Sequence, residues 1–421
     1  MSKEYDVIVI GGGPAGGQCA RNLSKKGHKV LLVEKFKSFE ENNFSSAGMT
    51  LTPMTEFDLP ESVVGSYWEN LGIQCTQELY TWKGGENKGV VLDFGRLRQF
   101  LADDSQKNGA DILMGHKYIK KEYEGNDVIT HFQDITTKEN IIFKSKLVID
   151  ATGPLRKVMY DDRKDEPELV VATGIEYLIK VKKEVYDVYK DTLFFFLGHK
   201  WAQNGYSWIF AMEENVLKVG SGKLYIHEET KEIRSMKEIT EKVIEEYLKL
   251  NKEDYELIDV HGGTLRYSTN INDTFYKNKI VAIGDAISTV NPLGGEGIRY
   301  AMQSADLAAE YVDKYLKTGK EQFENYRKRW RSKNLLSWQL CELAARRVYT
   351  KYTDTQIEDR MRAYHKITDI DIVIASLFNF QFSKIYHRIG LLYYNLLSNR
   401  VKNIFKKKTP KQLRKKKKSK F

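Results

Sequence analysis

Residues 5–17 read YDVIVIGGGPAGG. Tyr5 to Ile10 form an apolar, β-branched run suited to a strand of a buried parallel sheet. Gly11, Gly13 and Gly16 follow directly at the GxGxxG spacing, with Pro14 and Ala15 between the last two. In such a turn Gly11 permits the tight bend, Gly13 lets the backbone meet a pyrophosphate, and Gly16 lets a helix pack close to the strand. Outward from this turn, QCARNLSKKG (18–27) reads as a helix stopped by Gly27. KVLLVEK (29–35) then reads as a second strand ending near Glu34. An acid at that point accepts hydrogen bonds from an adenosine ribose, and the helix N-terminus offers free N–H groups and a positive dipole end to phosphates. Strand, turn, helix, strand and acid in this order indicate a bound adenine dinucleotide; a glycine-rich turn in some other α/β protein is the alternative. The carboxylate disfavours a 2′-phosphate, which leaves NAD or FAD for this site.

Two distant segments bear on that choice. KIVAIGDAIS (279–288) repeats the buried-strand pattern and ends in Gly284 and Asp285, and it leads into NPLGGEGIRYAMQSA (291–305). Gly294, Gly295 and Gly297 would each weaken a helix interior by roughly 1 kcal/mol relative to alanine, so they belong at or before the helix start. KLVIDATGPLRK (146–157) is a further strand followed by Asp150, Thr152 and Gly153. Together these segments resemble the FAD-binding fold of flavin monooxygenases of the hydroxybenzoate hydroxylase type, flavin halogenases and geranylgeranyl reductases. The resemblance implies FAD, with the late strand returning beside the first. It implies that Gly284 and Asp285 reach the ribityl chain and pyrophosphate, and that Pro292, Gly294, Gly295, Gly297 and Ile298 cover the isoalloxazine. The arginine usual near the start of the helix in DFGRLRQFLADDSQKNGADILMG (93–115) falls on Phe94, and Arg96 is the candidate in its place.

GYSWIFAMEENVLKVGSG (205–222) resembles the GYxWxFP segment of geranylgeranyl reductases, with Ala211 in the place of proline, and GIRYAM (297–302) is likewise similar to that family. NNFSSAGMTL (42–51) lacks the cysteine that some archaeal members carry there. The resemblance implies reduction of isolated double bonds in prenyl chains of lipids or pigment precursors, with NADPH or ferredoxin as candidate electron donor. An isolated trisubstituted alkene accepts hydride only once it is protonated, so such a site needs an acid and a dry, electron-rich wall. Tyr206 and Trp208 alternate onto one face of a strand, where they line a prenyl channel or simply pack a sheet. Glu296 is a candidate proton source or a helix-capping residue.

The expected architecture is α/β. A Rossmann-like FAD-binding domain takes residues 1–160 and 258–315, an antiparallel-sheet substrate domain takes 161–257, and a C-terminal helical region takes 316–399. A disordered polybasic tail follows at 400–421. The chain of 421 residues is 41% hydrophobic and 29% charged, ordinary for a folded protein. Three scattered cysteines exclude a disulfide framework and a zinc site, and the histidines show no metal-ligand spacing. No secretory signal precedes the first strand, so a cytoplasmic location is expected. The net charge is +10, yet the tail alone holds twelve Lys or Arg and no acid, so the remainder is slightly acidic. The excess therefore speaks to docking on an anionic membrane surface, and nucleic acid is not an expected partner. Uncharged runs after residue 310 are too short to span a bilayer and suit an interfacial position or a helical cap on the core. Rival readings are a flavin monooxygenase, halogenase or carotenoid-cyclase relative, and a protein that holds a prenyl lipid or nucleic acid without turnover.

Overall fold

The computed structural model describes residues 3–225 and 234–388, with Gly390; residues 391–399 and the polybasic tail lie outside the described residues. The apolar runs assemble a mixed sheet whose path is Tyr276–Lys277, Ile280–Ala282, Asn140–Asp150, Glu4–Ile10, Val30–Val33, Asp111–Leu113. From Ile280–Ala282 to Asp111–Leu113 every neighbouring pair is parallel. The late strand was expected beside the first, but Asn140–Asp150 separates them, pairing Ile8 with Val148 on one side and Val148 with Ile280 on the other. Leu147 to Asp150 are fully buried, which suits the central position of a sheet covered on both faces.

Helix Pro14–Lys25 leaves the first strand through Gly11, whose φ of +111° requires glycine. A Cβ on Gly16 would lie 1.8 Å from the Gly11 carbonyl oxygen, so helix and strand touch backbone to backbone. The same helix packs on Phe94–Lys107 and Ile298–Thr318, where Asp306 accepts from Gln18 at 2.8 Å and Asn22 at 2.6 Å.

The second sheet has seven strands in the order Tyr255–Tyr267, Val170–Val181, Val216–Tyr225, Gly205–Ala211, Thr192–Phe196, Asn70–Gln74, Leu79–Trp82. It is antiparallel except for Thr192–Phe196 with Asn70–Gln74. Here the expected boundaries need correction. Strand Tyr255–Tyr267 crosses the 257/258 division and pairs along its length with Val170–Val181, and residues 70–82 supply two strands from the N-terminal part. Both additions are long-range pairings that no local pattern announces. Strands Asp127–Asp134 and His116–Glu124 extend the first sheet antiparallel from Asn140–Asp150, and Gly48–Thr50, Gly89–Leu92 and Val64–Trp68 form a three-stranded sheet.

Helix Phe323–Arg346 is tied to the first sheet by Tyr326 Oη donating to Ala282 O at 3.1 Å and Trp338 Nε1 donating to Ser288 O at 3.1 Å. Helices Asp354–Ile367 and Ile370–Leu377 close on the second sheet, where Ile357, Ile370 and Val373 join Leu71, Ile73 and Phe210 in one apolar cluster.

Arg156 and Asp273, both fully buried, link the two sheets. Arg156 Nη2 donates to Asp273 Oδ1 and Ser288 Oγ, each at 3.1 Å, and to the carbonyl of Arg266 in the edge strand of the second sheet, while Nη1 donates to Pro154 O. Burial raises the Asp273 carboxyl above its ordinary pKa, and Arg156 opposes that shift. Removing either partner leaves an uncompensated buried charge, so Arg156→Ala and Asp273→Asn are each expected to lower stability by about 3–5 kcal/mol. The double replacement Arg156→Met/Asp273→Leu is expected to cost less than the two single losses combined. Urea unfolding followed by circular dichroism checks both statements.

Candidate active site

A cavity of about 280 Å³ opens between the C-terminal ends of the parallel strands and the face of the second sheet. Gly13, Pro14 and Ala15 form one side of it. Helix Pro14–Lys25 has no side-chain cap and no acid in its first turn, so its leading N–H groups are free for a phosphate. A Cβ on Gly13 would meet no protein atom within 4 Å, because that direction is the cavity itself. Gly284 and Asp285 line the cavity too, with Gly284 packed so close to the helix start that a Cβ there would lie 2.7 Å from that of Ala15. Asp285 accepts from Thr289 Oγ1 at 2.8 Å, and burial raises its carboxyl above the ordinary range. Pro292, Gly295, Gly297 and Ile298 supply the third side, immediately before helix Ile298–Thr318.

The floor is largely backbone, with the Phe44 ring packed against part of it. Gly222, Gly174 and Gly263 stand in register on three neighbouring strands, and all three line the cavity. Beside them the Trp208 ring lies flat over its own sheet, so a Cβ on Gly220 would come within 2.3 Å of it. Trp208 Nε1 donates to Glu176 Oε2 at 2.8 Å; Glu176 is fully buried and meets His261 Nε2 at 3.3 Å. Burial disfavours the His261 cation, but Glu176 and Asp259 outweigh it and hold the imidazole above its usual pKa.

Other candidates from the sequence fall differently. Gly11 and Gly16 serve the helix–strand contact. Glu34 is buried behind the turn and accepts from Gly12 N at 2.7 Å and Phe36 N at 3.1 Å, leaving lone pairs for further donors. Gly294 lines a neighbouring cavity. Arg96 does not reach the site: its guanidinium pairs with Glu213 and lies 3.2 Å from Asp93. Two residues along a helix turn the side chain to the opposite face, so Phe94 lines the cavity and Arg96 points away. Arg98, one turn beyond Phe94, stacks 4.7 Å over its ring and donates to the carbonyls of Phe39 and Glu41.

The neighbouring cavity, about 330 Å³, meets the first at Ser45, Ser46, Tyr206, Gly295 and Tyr349. Its walls are chiefly apolar, with Phe195, Leu197 and Phe210 from the sheet and Ile357, Met361 and Phe378 from the C-terminal helices. Tyr206 Oη donates to Gly294 O at 2.7 Å, and burial pushes its phenol well above the ordinary pKa. Glu296 lines this cavity, and Arg299 Nη2 donates to its Oε2 at 2.9 Å. Burial raises the Glu296 carboxyl to about 7 although Arg299 opposes the shift. Lys218 is a positioning residue that carried no signal in the sequence. Its buried ammonium donates to Ser45 O at 2.8 Å and so fixes the segment where the cavities join.

Residues 6–154 match the FAD dependent oxidoreductase family and residues 172–265 the geranylgeranyl reductase catalytic domain. The digeranylgeranylglycerophospholipid reductase of Haloferax volcanii is 30% identical over 331 residues, covering 75% of this chain and 77% of that protein. The chain belongs to the geranylgeranyl reductase family. As a member of that family it is an FAD-dependent oxidoreductase. A second geranylgeranyl reductase, that of Methanocaldococcus jannaschii named for the same lipid, is 27% identical over 85% of this chain and 90% of its own length. Among solved structures, a geranylgeranyl bacteriochlorophyll reductase-like protein from Thermoplasma acidophilum superposes with a TM-score of 0.75 at 20% identity, covering 92% of this chain and all of that one. p-Nitrophenol 4-monooxygenase from Pseudomonas putida shares the fold at a TM-score of 0.69 and 13% identity, with 90% of this chain and 98% of that one covered.

The first cavity fits the family's FAD. The free helix end and the open face of Gly13 would hold the pyrophosphate, Asp285 would meet hydroxyls, and the glycine floor would accept a planar ring. The two fingerprint glycines then separate on substitution. Gly13→Val is expected to fold with an unchanged melting temperature yet lose its flavin, because the new side chain occupies ligand space. Gly16→Val, blocked by the Gly11 carbonyl, is expected to lose the fold as well. Flavin absorbance per mole of protein, read beside thermal melting, distinguishes them.

Proposed function

We propose that the protein reduces isolated carbon–carbon double bonds in geranylgeranyl chains carried by a membrane lipid. The carrying observation is the junction of the two cavities: a largely apolar cavity adjoins the proposed FAD site at Tyr206 and Gly295. Bound FAD, reduced by NADPH or ferredoxin, supplies the hydride. The parallel sheet and its helices serve as the FAD-binding unit, the seven-stranded sheet covers one face of the flavin, and the C-terminal helices enclose the lipid.

The remaining chemistry falls to side chains of this chain. Phe195, Tyr206 and Tyr349 line the space where a tertiary cation develops and surround it with aromatic rather than aqueous surface. Trp208, held by Glu176, stands at the flavin end of the same wall. Glu296 delivers the proton to the alkene carbon, and Arg299 then stabilises the carboxylate left behind. A carboxyl whose folded pKa is raised to about 7 still carries its proton over much of the neutral range, as a general acid requires. The rate of the reduction step is therefore expected to be full below the folded pKa and to fall as pH rises through about 7. Glu296→Gln is expected to remove that pH limb and slow the step about a hundredfold or more. The test is anaerobic single turnover: chemically reduced enzyme and a geranylgeranyl lipid should give product two mass units heavier per bond without oxygen. Product that forms only in air and carries labelled oxygen would overturn the reading in favour of a monooxygenase.

The polybasic tail is proposed to hold the enzyme at an anionic membrane surface. No helix among the described residues is long and apolar enough to cross a membrane. Residues 406–421 contain ten Lys or Arg, each contributing on the order of 1 kcal/mol when close to such a surface. Their deletion is expected to weaken binding to phosphatidylserine-containing liposomes and to flatten its salt dependence. Turnover of a detergent-dispersed lipid is expected to persist. Liposome sedimentation across a salt series checks this.

A further inference from the structure

The wall of the lipid cavity carries two ionisable side chains. Glu296, at the flavin end, is held by Arg299; the other is Arg360. Arg360 lies on helix Asp354–Ile367 with Ile357, Met361 and Tyr364, which turn their apolar surfaces to the same cavity. Among the side chains of the lining it alone is exposed, which makes its position the mouth. Its guanidinium stacks 4.1 Å over the Tyr352 ring and reaches the Gln356 carbonyl at 3.4 Å, and no carboxylate of the described residues stands within ion-pair distance. The neighbouring Arg362 is held by Glu78 at 2.8 Å and Asp359 at 3.2 Å. A planar cation oriented by an aromatic face and left without an anion, at the open end of an apolar tunnel, is arranged for a bidentate phosphate.

We propose that Arg360 binds the phosphate headgroup of the prenyl lipid and selects phosphorylated lipids over their neutral counterparts. This rests on the reading of the cavity as the lipid site. With the phosphate at Arg360, the prenyl chain runs inward past Met361 and Tyr364 toward Tyr206 and the flavin. Headgroup recognition is thereby separated from the chemistry at the opposite end of the tunnel.

The test uses the FAD-loaded full chain in uncharged detergent with two probes, a glycerol monophosphate bearing two geranylgeranyl ethers and the same lipid without its phosphate. The quantity read is the ratio of kcat/KM for the two. Arg360→Ala is expected to lower that ratio about tenfold, the typical effect of losing a charge-assisted hydrogen bond, with Arg360→Lys between it and the native protein. Arg360→Glu is expected to invert the preference. A ratio that stays unchanged in Arg360→Ala, whether or not both rates fall, overturns the proposal and leaves the reductase reading intact. Capture of the two lipids by the holoprotein, quantified by mass spectrometry, reads the same ratio without turnover. A preference that is lost in Arg360→Ala while neither lipid is reduced would uphold the headgroup site and overturn the reductase reading instead.

Discussion

The two sheets are tied together by a guanidinium buried between them. Arg156 follows the central strand of the first sheet, and its donors end on Asp273, on the carbonyl of Arg266 in the edge strand of the second sheet, and on Ser288 beyond the turn that carries Asp285. Taking a cation and a carboxylate fully out of water is costly, and only a complete set of partners offsets it. Small displacements of either sheet break several of these hydrogen bonds at once. The cavity between the sheets is therefore held at a defined width, as a flat ring between two walls requires.

The nucleotide half was legible from Tyr5 to Glu34 because its defining contacts are local. Gly11, Gly13 and Gly16 act within one turn, and Glu34 closes on Gly12 at the next strand end. The glycine turn at 294–297 was legible for a similar reason, since glycines that would weaken a helix interior mark where the helix starts. Tyr206 and Trp208 share a face, as strand alternation dictates. What stayed hidden depends on pairing between remote segments. Gly222, Gly174 and Gly263 are unremarkable one by one and form a floor only when three strands come into register. Lys218, Glu176 and Arg156 look like ordinary charged residues until burial shows what they hold. Arg96 illustrates a different limit, because proximity in sequence to the position usually occupied by arginine counts for nothing when helix phase turns the side chain outward.

The lipid cavity joins two requirements that pull against each other. A prenyl chain and a developing cation call for dry, apolar surroundings, while proton transfer calls for an ionisable group inside them. In the proposed reaction Glu296 would meet both conditions, because the burial that raises its pKa also keeps water away while Arg299 limits how far the shift goes.

A floor made largely of backbone also separates what can change from what cannot. A side chain at Gly222 would sit beside the Trp208 ring and one at Gly174 or Gly263 would meet the Phe44 ring, whereas the helical wall from Ile357 to Phe378 is made of side chains. On the proposed reading of that cavity as the lipid site, differences in chain length, branching and headgroup would fall on two C-terminal helices, apart from the side that holds the cofactor.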